Sequence, residues 1–206
     1  MLILSFILFV LGRTIPKLPP EVSGLLLETG IGNIGALVEE LGIRTKAIYL
    51  PSPLTSGRPQ ALIPLHSNPA PPPINKPLPQ RLIVSYGASI DNIGLLFSTV
   101  GSAAVSMLAS KPGPNSADLE VALTSLLVGI LGVADGTNVN YHENRIRIEI
   151  HHPRIENKAT WSEYCLGSPL ASIVASVAAE AWSRPIMIQQ EEYLKGKCFM
   201  ELEVIG

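Results

Sequence analysis

A proline-opened run of small and aliphatic residues near the end of the chain restricts the fold more than any other feature. Ser168 is a good N-cap and Pro169 a good first-turn residue for a helix reaching about Trp182, and Pro185 stops it. Leu170, Ile173, Val174, Val177, Ala178 and Ala181 give that helix an apolar face, interleaved with Ala171, Ala175 and Ala179. Side chains this small allow close approach to a sheet or a second helix. Two alternating strands follow, Ile186–Tyr193 and Lys197–Ile205, joined across Leu194-Lys195-Gly196. In the first, Ile186, Ile188 and Gln190 are expected on one face, with Met187, Gln189 and Glu191 on the other. In the second, Cys198, Met200, Leu202 and Val204 form the buried set.

The same two periods recur upstream. Ile146, Ile148 and Ile150 alternate with Arg145, Arg147 and Glu149, which predicts a sheet with one dry and one wet face, in a hairpin with Thr137–Tyr141 around His142-Glu143-Asn144. Asn115 or Ser116 can cap a helix running to Leu131, with Asp118 and Glu120 favourable in its first turn. Gly101–Ser110 predicts a short helix of small residues. Lys46–Leu50, Gln60–Leu65, Arg81–Tyr86 and Ile93–Ser98 read as strands. Helical spacing from Val22 to Leu41, opened by Pro20 and closed by Gly42, predicts another helix, with a break near Gly30. His151–Tyr164 reads as polar and irregular. Ten of the eighteen prolines lie between Pro51 and Pro79, so residues 66–79 are expected to be an extended surface loop. These patterns predict an α+β domain over residues 21–206, a mainly antiparallel sheet with helices on one face.

Residues 1–20 stand apart as an apolar segment and a Pro-rich spacer. Met1–Gly12 is uncharged; as a helix it spans about 18 Å, short of the roughly 30 Å hydrocarbon core. It is expected to be a membrane anchor, complete or truncated, with an apolar arm docked on the domain as the alternative, and Arg13 and Lys17 behind it place the domain on the cytoplasmic side. The low charged fraction of 16% and mean hydropathy of +0.32 lean the same way. With 15 Lys and Arg against 17 Asp and Glu, and no run of either sign, nucleic acid is not an expected partner.

The chain carries no catalytic signature. Cys165 and Cys198 are too few for a disulfide framework and read as free thiols. His142, His151, His152 and Cys165 are the residues to test for a metal site, although adjacent His151 and His152 point to opposite faces of a continuing strand. Cys165 with a neighbouring histidine as base lacks an orienting acid in the sequence, and Glu191, Glu192, Glu201 and Glu203 read as wet-face acids. No cofactor is implied.

Two resemblances add expectations. Gly132, Gly136, Cys165, Gly167, Glu191, Gly196 and Cys198 resemble the pattern of the vinyl reductase-type ligand-binding domain, with Tyr193 where that family commonly has a further cysteine. The order of apolar anchor, Leu37–Gly42, Tyr49–Pro51 and long final domain is similar to an uncharacterised archaeal family with transmembrane helices ahead of a cytoplasmic domain. Together they imply a membrane-associated, non-enzymatic domain that binds a small apolar ligand or a protein partner, with Cys165, Gly167, Ser168 and Cys198 as the ligand-binding candidates. A structural protein that forms homo-oligomers and a Cys- or His-dependent enzyme are the alternatives.

Overall fold

The computed structural model describes residues 20–68, 72–155 and 160–205. The apolar segment 1–12 and nearly all of the spacer after it lie outside these. In chain order the elements are α1 (Pro20–Glu40), β1 (Ile48–Leu50), a single 3-10 turn (Ser52–Leu54), β2 (Gln60–Pro64), β3 (Ile83–Ser85), β4 (Ile93–Phe97), α2 (Val100–Val105) and α3 (Ser116–Thr124). A wide π-helical turn (Ser125–Ile130) prolongs α3, and β5 (Gly136–His142), β6 (Arg145–His151), α4 (Trp161–Leu166), α5 (Pro169–Trp182), β7 (Ile186–Leu194) and β8 (Lys197–Val204) complete the chain. The strands form one eight-stranded sheet in the order β3-β4-β2-β1-β7-β8-β6-β5. Every neighbouring pair is antiparallel. The fold is α+β, as the alternating strands predict. Two four-stranded halves meet where β1 runs beside β7, through the pairs Ile48↔Met187 and Tyr49↔Ile186.

At the centre lies α5. The Ser168 hydroxyl accepts from the Ala171 N–H at 3.1 Å, Pro169 occupies the first turn, and Ser183 ends the helix in the left-handed region. Every residue from Leu170 to Ala181 is buried. One side of the helix lies on the sheet and the other is roofed by α2 and α3. The roof sits close: a Cβ on Gly101 of α2 would stand 2.2 Å from the Ser172 carbonyl oxygen, so only glycine fits. Glu180, also buried, accepts from both the backbone N–H and the hydroxyl of Ser52, which ties the helix end to the 3-10 turn. The stretch Trp161–Trp182 is long and apolar enough to cross a membrane, but 78% of its most apolar window is buried inside the domain, as befits a core helix.

The opposite face of the sheet is divided. Over β1, β2, β3 and β4 a second apolar cluster forms, containing Ile48, Leu50, Leu62, Val84, Tyr86 and Leu96. It is closed by Ile74 and Leu78 of the Pro-rich loop, which are only 7% and 6% exposed. The expected surface loop is therefore half right: proline keeps it out of the ladder, yet two aliphatic side chains make it a lid. Over β5, β6 and β8 the face is wet, and Arg145 and Arg147 pair with Glu201 while Lys197 pairs with Glu149.

Three expectations are corrected. Helix α1 runs unbroken through Gly30; Gly35 against Ser162 and the fully buried Val38 hold it to the domain, offsetting the weak helix propensity of its glycines. Helix α2 stops at Val105 rather than Ser110. A Thr99–Ser102 capping box starts it, and the Ser106 hydroxyl takes the Ala103 carbonyl that a further turn would need. The irregular stretch before Cys165 contains α4, whose Thr160–Glu163 capping box is legible in the sequence once sought.

The packing at Gly101 yields a paired prediction. Gly101→Ala should destabilise the protein by about 1–3 kcal/mol or more, because the new Cβ would meet the Ser172 carbonyl of the α5 backbone, which cannot move aside, as well as the Ser176 hydroxyl. Gly32→Ala, with nothing within 4 Å of the new Cβ, should be neutral or stabilise by up to about 1 kcal/mol. Urea unfolding of both variants checks the contrast.

Candidate functional site

The polar groups of the domain converge at the start of α5, and a fault in strand β7 puts them there. Ile186 and Ile188 face the helix, and strict alternation would send Gln190 after them. Instead Ile188 pairs with Leu202 and Gln190 with Glu201, leaving Gln189 as the extra residue of a β-bulge. Beyond the bulge the faces exchange. Glu191 and Tyr193 turn inward, while Gln190 and Glu192 turn to solvent, which overturns both the expected side assignment and the reading of Glu191 as a wet-face acid.

Glu191 then meets the first turn of α5. Its carboxylate accepts from the Ser168 N–H at 3.1 Å, from the Ser168 hydroxyl and from the Tyr193 hydroxyl at 3.0 Å. A carboxylate here satisfies N–H groups that no helical turn can reach and sits at the positive end of the helix dipole. Opposite Tyr193 in the ladder is Cys198, fully buried. Burial, with the Glu191 charge adding to it, pushes the Cys198 thiol from its ordinary 9.0 up to about 12. Burial likewise drives the phenols of Tyr193 and Tyr49 far above their ordinary range. Tyr49 on β1 is buried beside the site and donates to the Leu166 carbonyl just ahead of the helix.

Cys165, in the last turn of α4, donates its thiol to the Ile43 carbonyl at 3.6 Å, and desolvation raises its pKa too. Gly167 takes φ +75° at the α4–α5 corner, where a Cβ would stand 2.7 Å from Ile188. Ser168 is 1% exposed. The four residues singled out from sequence thus flank one corner: Cys165, Gly167 and Ser168 in succession, and Cys198 behind them on the sheet. An open groove of about 430 Å³ runs along this corner, lined by Lys46, Tyr164, Cys165, Gly167, Ile188 and Glu191 among others. Lys46 spans it to donate to the Gln189 carbonyl at the bulge, at 2.6 Å.

The histidines do not join this corner. His142 sits at a hairpin tip beside Glu143, His151 lies 3.4 Å from Glu149, and His152 lies 3.2 Å from Asp135. Among the described residues no three of His, Cys, Asp and Glu gather as a metal ligand set. Burial raises the pKa of both thiols, which disfavours the thiolate form. What the corner offers is a carboxylate, an ammonium and apolar walls. Lys46, Glu191 and Tyr193 were not expected here. For the two strand residues the only route is the bulge, which Gln189-Gln190 does not announce.

An antiparallel α+β domain with an open groove at the head of its central helix is the class that fold and site define. The chain belongs to the family described as "Domain of unknown function (DUF7982)", whose model matches residues 17–200. Neither a curated protein nor a solved structure matches it.

Raised pKa values make stability depend on pH in a definite direction. The folded protein keeps the Cys198 proton, and those of Tyr49 and Tyr193, at pH values where the unfolded chain has released them. Stability should therefore be intact below about pH 9 and fall as pH rises towards 12, measured by denaturant midpoints across that window. Glu191→Ala should cost about 1–3 kcal/mol by orphaning the Ser168 N–H, whereas Glu191→Gln keeps an acceptor and should cost less.

Proposed function

We propose that this chain is a membrane-tethered, non-enzymatic binding domain whose ligand enters the groove at the head of α5. The observation that carries the reading is the β7 bulge, which gives up ladder regularity to aim Glu191 at the helix start and places Gln189 and Gln190 in the wall of the open groove. Bulges cluster beside functional sites, and the raised thiol pKa values argue against a cysteine enzyme. The groove lies at the corner that motivated the resemblance to vinyl reductase-type ligand-binding domains. Its shape favours a small ligand with an apolar body against Tyr164 and Ile188 and a polar end at Lys46, in place of a wholly apolar one. Membrane tethering rests on the apolar Met1–Gly12 and the charges after it, in keeping with the archaeal anchored family to which the order of segments is similar.

Two measurements test this. Fragments carrying an aromatic ring and an anionic group should shift the amide resonances of Lys46, Ala47 and Gln190 in the full chain. Lys46→Glu should weaken their binding about tenfold, as reversing a rim charge does. Shifts confined to other surfaces would sink the groove as the site. Separately, carbonate washing should leave the full chain with the membranes and release a version lacking residues 1–12; release of both would remove the anchor.

A further inference from the structure

At one end of the sheet lies the seven-residue β5, whose outer edge pairs with no other strand among the described residues and has α3 beside it with a carboxylate laid across. The two-residue turn Glu143-Asn144, with φ +48° and +64°, closes the β5–β6 hairpin at His142↔Arg145. Hydrogen-bonded pairs therefore fall at residues 142, 140, 138 and 136, and the N–H and C=O groups of Thr137, Val139 and Tyr141 face outward. The central outward N–H is taken: Glu120 reaches from α3 and its Oε2 accepts from the Val139 N–H at 2.7 Å. Beside it the Thr137 hydroxyl bonds Thr124.

We infer that Glu120 is an autoinhibitory contact that keeps β5 from pairing with the β5 strand of a second copy of this chain. This inference stands apart from the groove. The occupant follows from the strand itself. β5 carries no Lys, Arg, Asp or Glu, whereas β6, β7 and β8 all do. A two-fold axis through Val139 sets Val139 on Val139, Asn138 against Asn140 and Thr137 against Tyr141, with no like charges opposed. The Val139 groups would then exchange two backbone hydrogen bonds, one of them through the N–H that Glu120 now holds. Unpaired edges of this length are a standing invitation to such joining, and a charged side chain on the edge is a known way of preventing it.

The test is sedimentation equilibrium of the full chain in mild detergent. E120Q retains an oxygen acceptor for the Val139 N–H and should associate no more than the unsubstituted protein. E120A should form dimers with a dissociation constant lowered about tenfold. Adding N138K and N140K to E120A sets lysines of the two copies against each other on the wet face and should return it to the starting level. Should E120A be poorly folded by circular dichroism, E120S, too short to reach the edge, takes its place. Association of the short-side-chain variant no stronger than that of the unsubstituted chain would overturn the inference. Dimers that survive N138K/N140K would overturn it equally.

Discussion

The structure depends on a helix that has no wet side. With every residue from Leu170 to Ala181 buried, α5 needs a sheet beneath it and a roof above it, and the rest of the chain supplies both. The inward row Ile146, Ile148, Ile150, Cys198, Met200, Leu202 and Val204 makes part of the floor. Leu119, Leu123, Leu126 and Leu127 make much of the roof. Such a helix also has to be closed at each end, since its terminal N–H and C=O groups have no partner within the helix. Ser168 and Glu191 do this at the start, and the left-handed Ser183 closes the other end, where Glu180 binds Ser52.

The candidate site is a consequence of that arrangement. A buried helix start attracts an acceptor, and the acceptor recruited is a glutamate from the neighbouring strand. Getting it there required the strand to change face, and Gln189 is where it does so. The low-dielectric surroundings that hold Tyr49, Tyr193 and Cys198 in their neutral forms follow from the same burial. The groove side of the corner meets solvent, through Tyr164, Gln189 and Gln190 among others.

Much of this was legible beforehand, and for identifiable reasons. Ser168-Pro169 and Pro185 bracket α5 because capping and proline chemistry act locally. The alternation in β6 and β8 was readable because one face is dry along the whole strand. Where the two faces differ less, in the polar run Gln189–Tyr193, period-two reading had nothing to detect a bulge with, and Glu191 and Glu192 were indistinguishable. Ile74 and Leu78 were hidden in another way: proline signals the absence of regular structure but is silent about burial. Cys165, Gly167, Ser168 and Cys198 do come together, yet the two residues that give their corner its charge, Glu191 and Lys46, come from strand and loop positions that only the tertiary structure brings near.

The join between the halves of the sheet bears on how the molecule comes into being. β1 and β2, β4 and β3 can pair as soon as they are made, and so can β5 with β6. The contact of β1 with β7 cannot, because its two residue pairs link a strand from the first third of the chain to one completed near its end. Emerging from the ribosome, the first half must wait with the β7-facing edge of β1 open and its share of the apolar interior unsheltered until α5 and β7 arrive. Closure of the seam is thus a late, non-local event with a correspondingly slow rate. In the finished molecule α5 packs on both β1 and β7 and so bridges the two-pair seam.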